Sequence, residues 1–67
     1  MYNAHTDYER RARELMLNPE QTRAFIALNN HADKTGHCPS CDNNVGRYES
    51  DRLTHARTCA QLKADAS

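Results

Sequence analysis

The sequence predicts a small α+β domain: two helices filling residues 6–35, then a ββα-like unit over residues 36–64, all within one domain spanning 1–67. Three observations carry this. Two stretches of helical apolar spacing each follow a helix-start signal, at Thr6 and at Asn18. The segment Asp42-Asn43-Asn44-Val45-Gly46-Arg47-Tyr48 has the chemistry of a tight turn between short strands. Finally, Cys38-Pro39-Ser40-Cys41 is followed by His55-Ala56-Arg57-Thr58-Cys59, which gathers all three cysteines and one histidine into two short clusters.

In Thr6-Asp7-Tyr8-Glu9, a threonine followed three residues later by glutamate fits a capping box. Tyr8, Ala12, Leu15 and Met16 then recur at i, i+4, i+7 and i+8, which predicts a helix over 7–17 with those four residues on its buried face. Asn18-Pro19-Glu20-Gln21 is a second start signal: asparagine accepts from the first free N–H groups, and proline at the first helical position lacks an N–H that would have no partner anyway. Phe25, Leu28 and Ala32, supported by Ala24 and Ile26, form the apolar stripe of this second helix, and Thr35-Gly36 ends it. Asparagine and glycine between Asp42 and Tyr48 tolerate positive φ, so strands are expected at 36–38 and 45–48. Ser50 as N-cap, with Asp51 in the first turn, predicts a last helix over 50–64.

The cysteine count separates a disulfide from a metal. Three is odd, and two cysteines three positions apart make a poor bridge but a good chelate. His55 and Cys59 are four apart, so on a helix they stand one turn above the other and point the same way. Cys38, Cys41, His55 and Cys59 are therefore expected to hold one structural zinc ion. His37 competes with His55 as a ligand, but it would draw three ligands from one tight loop. The metal answers a physical need: 67 residues with no tryptophan and one phenylalanine give a meagre core. Structural zinc contributes about 10–16 kcal/mol of folding free energy in finger peptides.

Cys38, Pro39, Cys41, Arg52, Leu53, His55 and Cys59 resemble the CCHC-type zinc fingers, relatives of the classical CCHH finger with the pattern CPxC…RLxxHxxxC. The resemblance covers about a third of the chain and implies a ββα finger closed on zinc. Here only Thr54 separates Leu53 from His55, so the two lie about 200° apart around a helix. Leu53 must then face away from the metal, with Ala56 and Ala60, while His55, Cys59 and Leu62 form the opposite stripe. Such a helix is buried on two sides, with the metal knuckle on one and the N-terminal helices on the other.

Charge bears on function. Lysine plus arginine equals aspartate plus glutamate at nine each, with five of each sign through Lys34 and four of each after it. Three thiolates around one zinc ion add a net negative charge. Nucleic-acid domains show a basic excess instead. The favoured expectation is a protein-interaction or regulatory module for a larger protein, with transcription machinery among its targets and a homodimer as a second mode. A layout of short helices before a zinc finger is similar to that of small bacterial and phage regulators that bind RNA polymerase. The alternative is a nucleic-acid-binding finger using Arg47, Arg52 and Arg57 around the metal, with Arg10 and Arg13 on the first helix. An enzyme is not expected: four ligands close the zinc sphere, and no His-x-Glu precedes Cys38. A polar N-terminus, reduced cysteines and the lack of a long apolar run lead to the expectation of a cytoplasmic, reducing location without membrane contact.

Overall fold

The computed structural model describes residues 4–66, with side chains from Asp7 onward. Four helices follow in order: α1 (Ala4–Glu14), α2 (Pro19–Thr35), α3 (Glu49–Thr58) and α4 (Ala60–Ala66). Helix α2 is the centre, and α1, α3 and α4 all pack on it. Among the described residues no helix is long and apolar enough to cross a membrane.

The α2 boundaries follow from its sequence. Asn18 accepts from the Gln21 N–H at 2.8 Å while the Gln21 side chain reaches back to the Asn18 N–H, so the capping box is complete. At the other end Gly36, at φ 79°, takes the left-handed turn that a side chain would resist. Ala24, Phe25, Leu28 and Ala32 are buried on its inner face, and Tyr8 of α1 meets the Phe25 ring edge-to-face at 6.3 Å. Ala12, Ala56 and Leu62 complete the contribution of the other helices.

Helix α1 is offset from its predicted span. Its backbone is already helical at Ala4, two residues before Thr6, so Thr6 is not at the cap position, and Glu9 pairs instead with Arg13 at 3.4 Å. The helix ends early because Met16 turns left-handed at φ 60°. The Leu17 N–H then bonds the Ala12 carbonyl at 3.1 Å and the Met16 N–H bonds that of Arg13 at 3.0 Å, the closing pattern of a Schellman motif. This turn swings Met16 out of the predicted stripe, to 89% exposure, while Leu15 and Leu17 pack partly against the core. His31 is half-buried on α2.

The α+β expectation is overturned: the described residues form helices without strands, so there is no ββα finger. Where strands were expected at 36–38 and 45–48, the described residues show one isolated antiparallel bridge, His37 to Asn44, flanked by the Val45 N–H bond to the Gly36 carbonyl at 3.0 Å. Left-handed turns at Gly36, Asp42 and Gly46 (φ 79°, 62° and 66°) break the extended run on both sides, leaving too few residues for a ladder. The last helix also departs from prediction. It begins at Glu49 rather than after a Ser50 cap, and Tyr48 occupies the cap position without a side-chain bond. Bidentate pairing of Arg11 with Glu49, at 2.7 and 2.9 Å, ties this start to α1. The predicted 50–64 helix is divided at Cys59, whose extended backbone (φ −82°, ψ 99°) separates α3 from α4. Leu62 is therefore rotated into the core and Ala60 out to solvent, against the predicted stripes.

Candidate metal centre

Cys38 to Asp42 form a knuckle. The Asp42 N–H bonds the Cys38 carbonyl at 3.0 Å and the Cys38 N–H bonds that of Asn43 at 2.9 Å, so the chain doubles back and turns both thiols inward. Asp42 takes positive φ to complete the turn. His37, the competing ligand, lies outside the donor cluster: its Nδ1 bonds the Asp42 carbonyl at 3.0 Å and stitches the knuckle shut.

The last turn of α3 supplies His55, and the junction between α3 and α4 supplies Cys59. The donor atoms of Cys38, Cys41, His55 and Cys59 all lie within 4.8 Å of one another, and Cys41 Sγ is 3.4 Å from His55 Nε2. In a tetrahedral site with Zn–S of about 2.3 Å and Zn–N of about 2.0–2.1 Å, neighbouring donors are about 3.5–3.8 Å apart. Four donors of soft and borderline character at this spacing can hold one metal ion. The break at Cys59 belongs to the site: leaving helical geometry directs its Sγ toward the other donors, and the same sulfur accepts the Leu62 N–H at 3.4 Å, capping α4.

Further N–H groups address the sulfurs. Ser40 N–H points at Cys38 Sγ at 3.4 Å, and the Asn43 side chain donates to Cys41 Sγ at 3.3 Å. Burial pushes the Cys38 thiol up, whereas the Asn43 backbone pulls the Cys41 thiol down. Asn43 was read from the sequence only as a turn former; its role toward sulfur has no spacing signal. Gln61 adds a strap from α4, donating to the Ser40 carbonyl at 2.9 Å.

The five arginines named from the sequence fall into different settings. Arg10, Arg47 and Arg57 are exposed, and Arg13 is paired with Glu9. Arg52 is 6% exposed, and its guanidinium is engaged inside the protein. Nε and Nη2 donate to the Gly46 carbonyl at 3.1 and 3.0 Å, and Nη1 donates to Asn29 at 3.0 Å and to Asp33 at 2.8 Å. Asp33 in turn accepts from the Tyr8 hydroxyl. One arginine thus joins the loop after the knuckle to α2, and through Asp33 to α1. Burial and the Asp33 carboxylate push the Tyr8 hydroxyl up to about 12. Desolvation raises Asp33, but hydrogen bonds from Tyr8 and Arg52 outweigh it and hold the carboxyl below its ordinary value.

The cluster is compatible with the CCHC-type site that the sequence resembles, although the ββα frame of those fingers is absent. No protein-family model, curated protein or solved structure matches this chain.

Proposed function

We propose that the chain is a zinc-stabilised interaction module: one structural zinc ion at Cys38, Cys41, His55 and Cys59 fixes the fold, and the helical face binds a larger protein, with transcription machinery among its targets. The observation that carries the metal reading is the four-donor cluster itself. Three sulfurs and one imidazole nitrogen suit zinc, and four protein ligands leave no coordination position for a reacting water, which supports a non-catalytic role. Interaction through the helices is supported by a concave surface of about 450 Å³ lined by Ile26, Ala27 and Ala66 together with Glu9 and Arg23 of α1 and α2. Zero net charge and the internal use of Arg52 count against nucleic acid as the main partner.

The test has two stages. Elemental analysis of protein purified under reducing conditions should give one zinc per chain. The zinc-loaded protein, used as bait in an extract of its native host, should then retain a protein partner that Ile26→Asp no longer captures. Exposure of Arg47 and Arg57 supports the alternative reading; salt-sensitive, sub-micromolar DNA or RNA binding that is lost in an Arg47→Ala, Arg57→Ala double variant would favour it over the protein partner.

A further inference from the structure

The four donors are not equally sheltered. Cys38 is 1% exposed and its backbone is fixed on both sides, its N–H bonded to the Asn43 carbonyl and its carbonyl to the Asp42 N–H. Cys41 and Cys59 are only partly covered, although their sulfurs belong to the same 4.8 Å cluster. They also come from different parts of the fold, one from the knuckle and one from the break between α3 and α4. Cys59 lies outside helical geometry, at the break where its N–H closes α3 on the His55 carbonyl and its carbonyl accepts the Lys63 N–H of α4.

We propose that Cys41 and Cys59 form a hydroperoxide-reactive dithiol whose oxidation releases the metal. The inference rests on reading the four donors as a zinc site. The Cys41 thiolate attacks one oxygen of hydrogen peroxide; the O–O bond breaks, hydroxide departs and Cys41 becomes a sulfenic acid. The Cys59 thiolate then attacks the Cys41 sulfur, forming the S–S bond and expelling a second hydroxide. Two thiolates lose two electrons and one peroxide gains them. Cys38 and His55 are then the only donors left, too few for a structural zinc site. Thiolate exposure decides which sulfurs react, and here it selects the pair that links the knuckle to the α3–α4 junction.

Because the metal stabilises the half that follows Gly36, its release loosens that half while the new disulfide keeps the knuckle tethered to the helix junction. Reduction restores both thiolates and allows reloading. The chain thus responds to peroxide by changing the surface it offers to a partner.

The experiment uses the zinc-loaded, full-length protein. Zinc content before treatment tests the site: a reduced chain carrying no zinc removes both the site and this inference. With zinc present, added hydrogen peroxide should release one zinc per chain to a chromogenic indicator. Peptide mapping should find a Cys41–Cys59 disulfide, and dithiothreitol with added zinc should restore the initial helicity. Cys59→His keeps four ligands while removing the second thiol. In this variant a dimedone-trappable sulfenic acid should accumulate at Cys41, and zinc release should be roughly tenfold slower. Zinc retained under peroxide, a Cys38–Cys41 bridge, or a bridge between chains in the wild-type protein would each overturn the proposal while leaving the metal site standing. If Cys59→His does not load zinc, the wild-type disulfide map decides alone.

Discussion

Among the described residues, helices α1 and α2 bury the apolar Ala12, Ala24, Phe25, Leu28 and Ala32, whereas the half that follows Gly36 buries Cys38, Val45, Ala56 and Leu62 beside the charged Arg52. The first half contains an aromatic contact and a helix capped at both ends. The second has two short helices divided at Cys59, one isolated β-bridge among the described residues and four clustered donors. Apolar burial scales with the surface removed from water, and the first half supplies two large buried side chains, Phe25 and Leu28, against Leu62 in the second. The first half therefore brings more side-chain packing to the shared core, and the second adds four donors that can hold a metal ion.

Metal removal is the strongest way to break this comparison. Chelation, or Cys59→Ser, is expected to abolish amide-exchange protection throughout α3 and α4 while the centre of α2 keeps part of its own. The scale of the effect follows from the about 10–16 kcal/mol that structural zinc contributes in finger peptides. Hydrogen exchange followed by mass spectrometry separates the helices directly. Equal loss of protection in α2 and α4 would show that the two halves fold as one unit and that the contrast has no energetic meaning.

The next effect tests the seam. Arg52→Leu keeps the aliphatic stem but leaves the Gly46 carbonyl and the Asn29 side chain without their donor and deprives Asp33 of its cation. Leaving the buried Asn29 acceptor unsatisfied predicts a loss of about 1–3 kcal/mol, to which the exposed Gly46 carbonyl and Asp33 carboxylate add little. Urea unfolding of the zinc-loaded variant measures it. Zinc stoichiometry should remain at one per chain, since Arg52 contacts no donor. If the halves are separable, the single unfolding transition should also broaden or split.

The difference between the halves also governs what could be read from the sequence. Helix α2 was legible to its ends because Asn18, Pro19, Gln21 and Gly36 act on their own neighbours, and such local chemistry needs no tertiary information. The four donors were legible because ligand spacing is a covalent fact. The missing strands, the break at Cys59 and the burial of Arg52 were not, because each is imposed from a distance. Arg52 reaches partners 19 and 23 residues away, and no propensity marks an arginine for that use. Cys59 leaves the helix to meet donors in the knuckle, and nothing in Thr58-Cys59-Ala60 is a helix breaker. The strand prediction failed because turn-forming residues were counted as joining two strands when they occupy most of the segment.

A smaller effect sits where α1 meets this seam. With its folded pKa raised from the ordinary value near 10 to about 12, Tyr8 contributes stability that is complete below pH 10 and disappears as pH rises through 12. Asp33 has the opposite sign: its lowered pKa adds stability above the ordinary carboxylate value, and this fades as pH falls through the folded value. Ultraviolet titration should show a phenol ionising at about 12 that is absent from Tyr8→Phe. That variant should lose about 1 kcal/mol, the usual scale of one hydrogen bond. Unchanged stability would mean that Asp33 relies on Arg52 alone and that the polar attachment of α1 rests on the Arg11–Glu49 pair.

The smallest expected effect has the opposite sign and belongs wholly to the packed half. Met16 holds a left-handed conformation that costs an L-residue free energy, and at 89% exposure its side chain recovers little by packing. Glycine at this position closes a Schellman motif without that cost, although it gives the unfolded chain more freedom, so Met16→Gly should stabilise by about 0.5–1 kcal/mol. Met16→Ala, which retains the steric conflict, should show no such gain in thermal unfolding. Combined with Arg52→Leu, the substitution reports on the comparison itself. If the weakened seam lets the halves unfold separately, Met16→Gly should raise only the transition that carries α1 and α2; if it raises the whole unfolding curve, the central helix still couples both halves without the arginine.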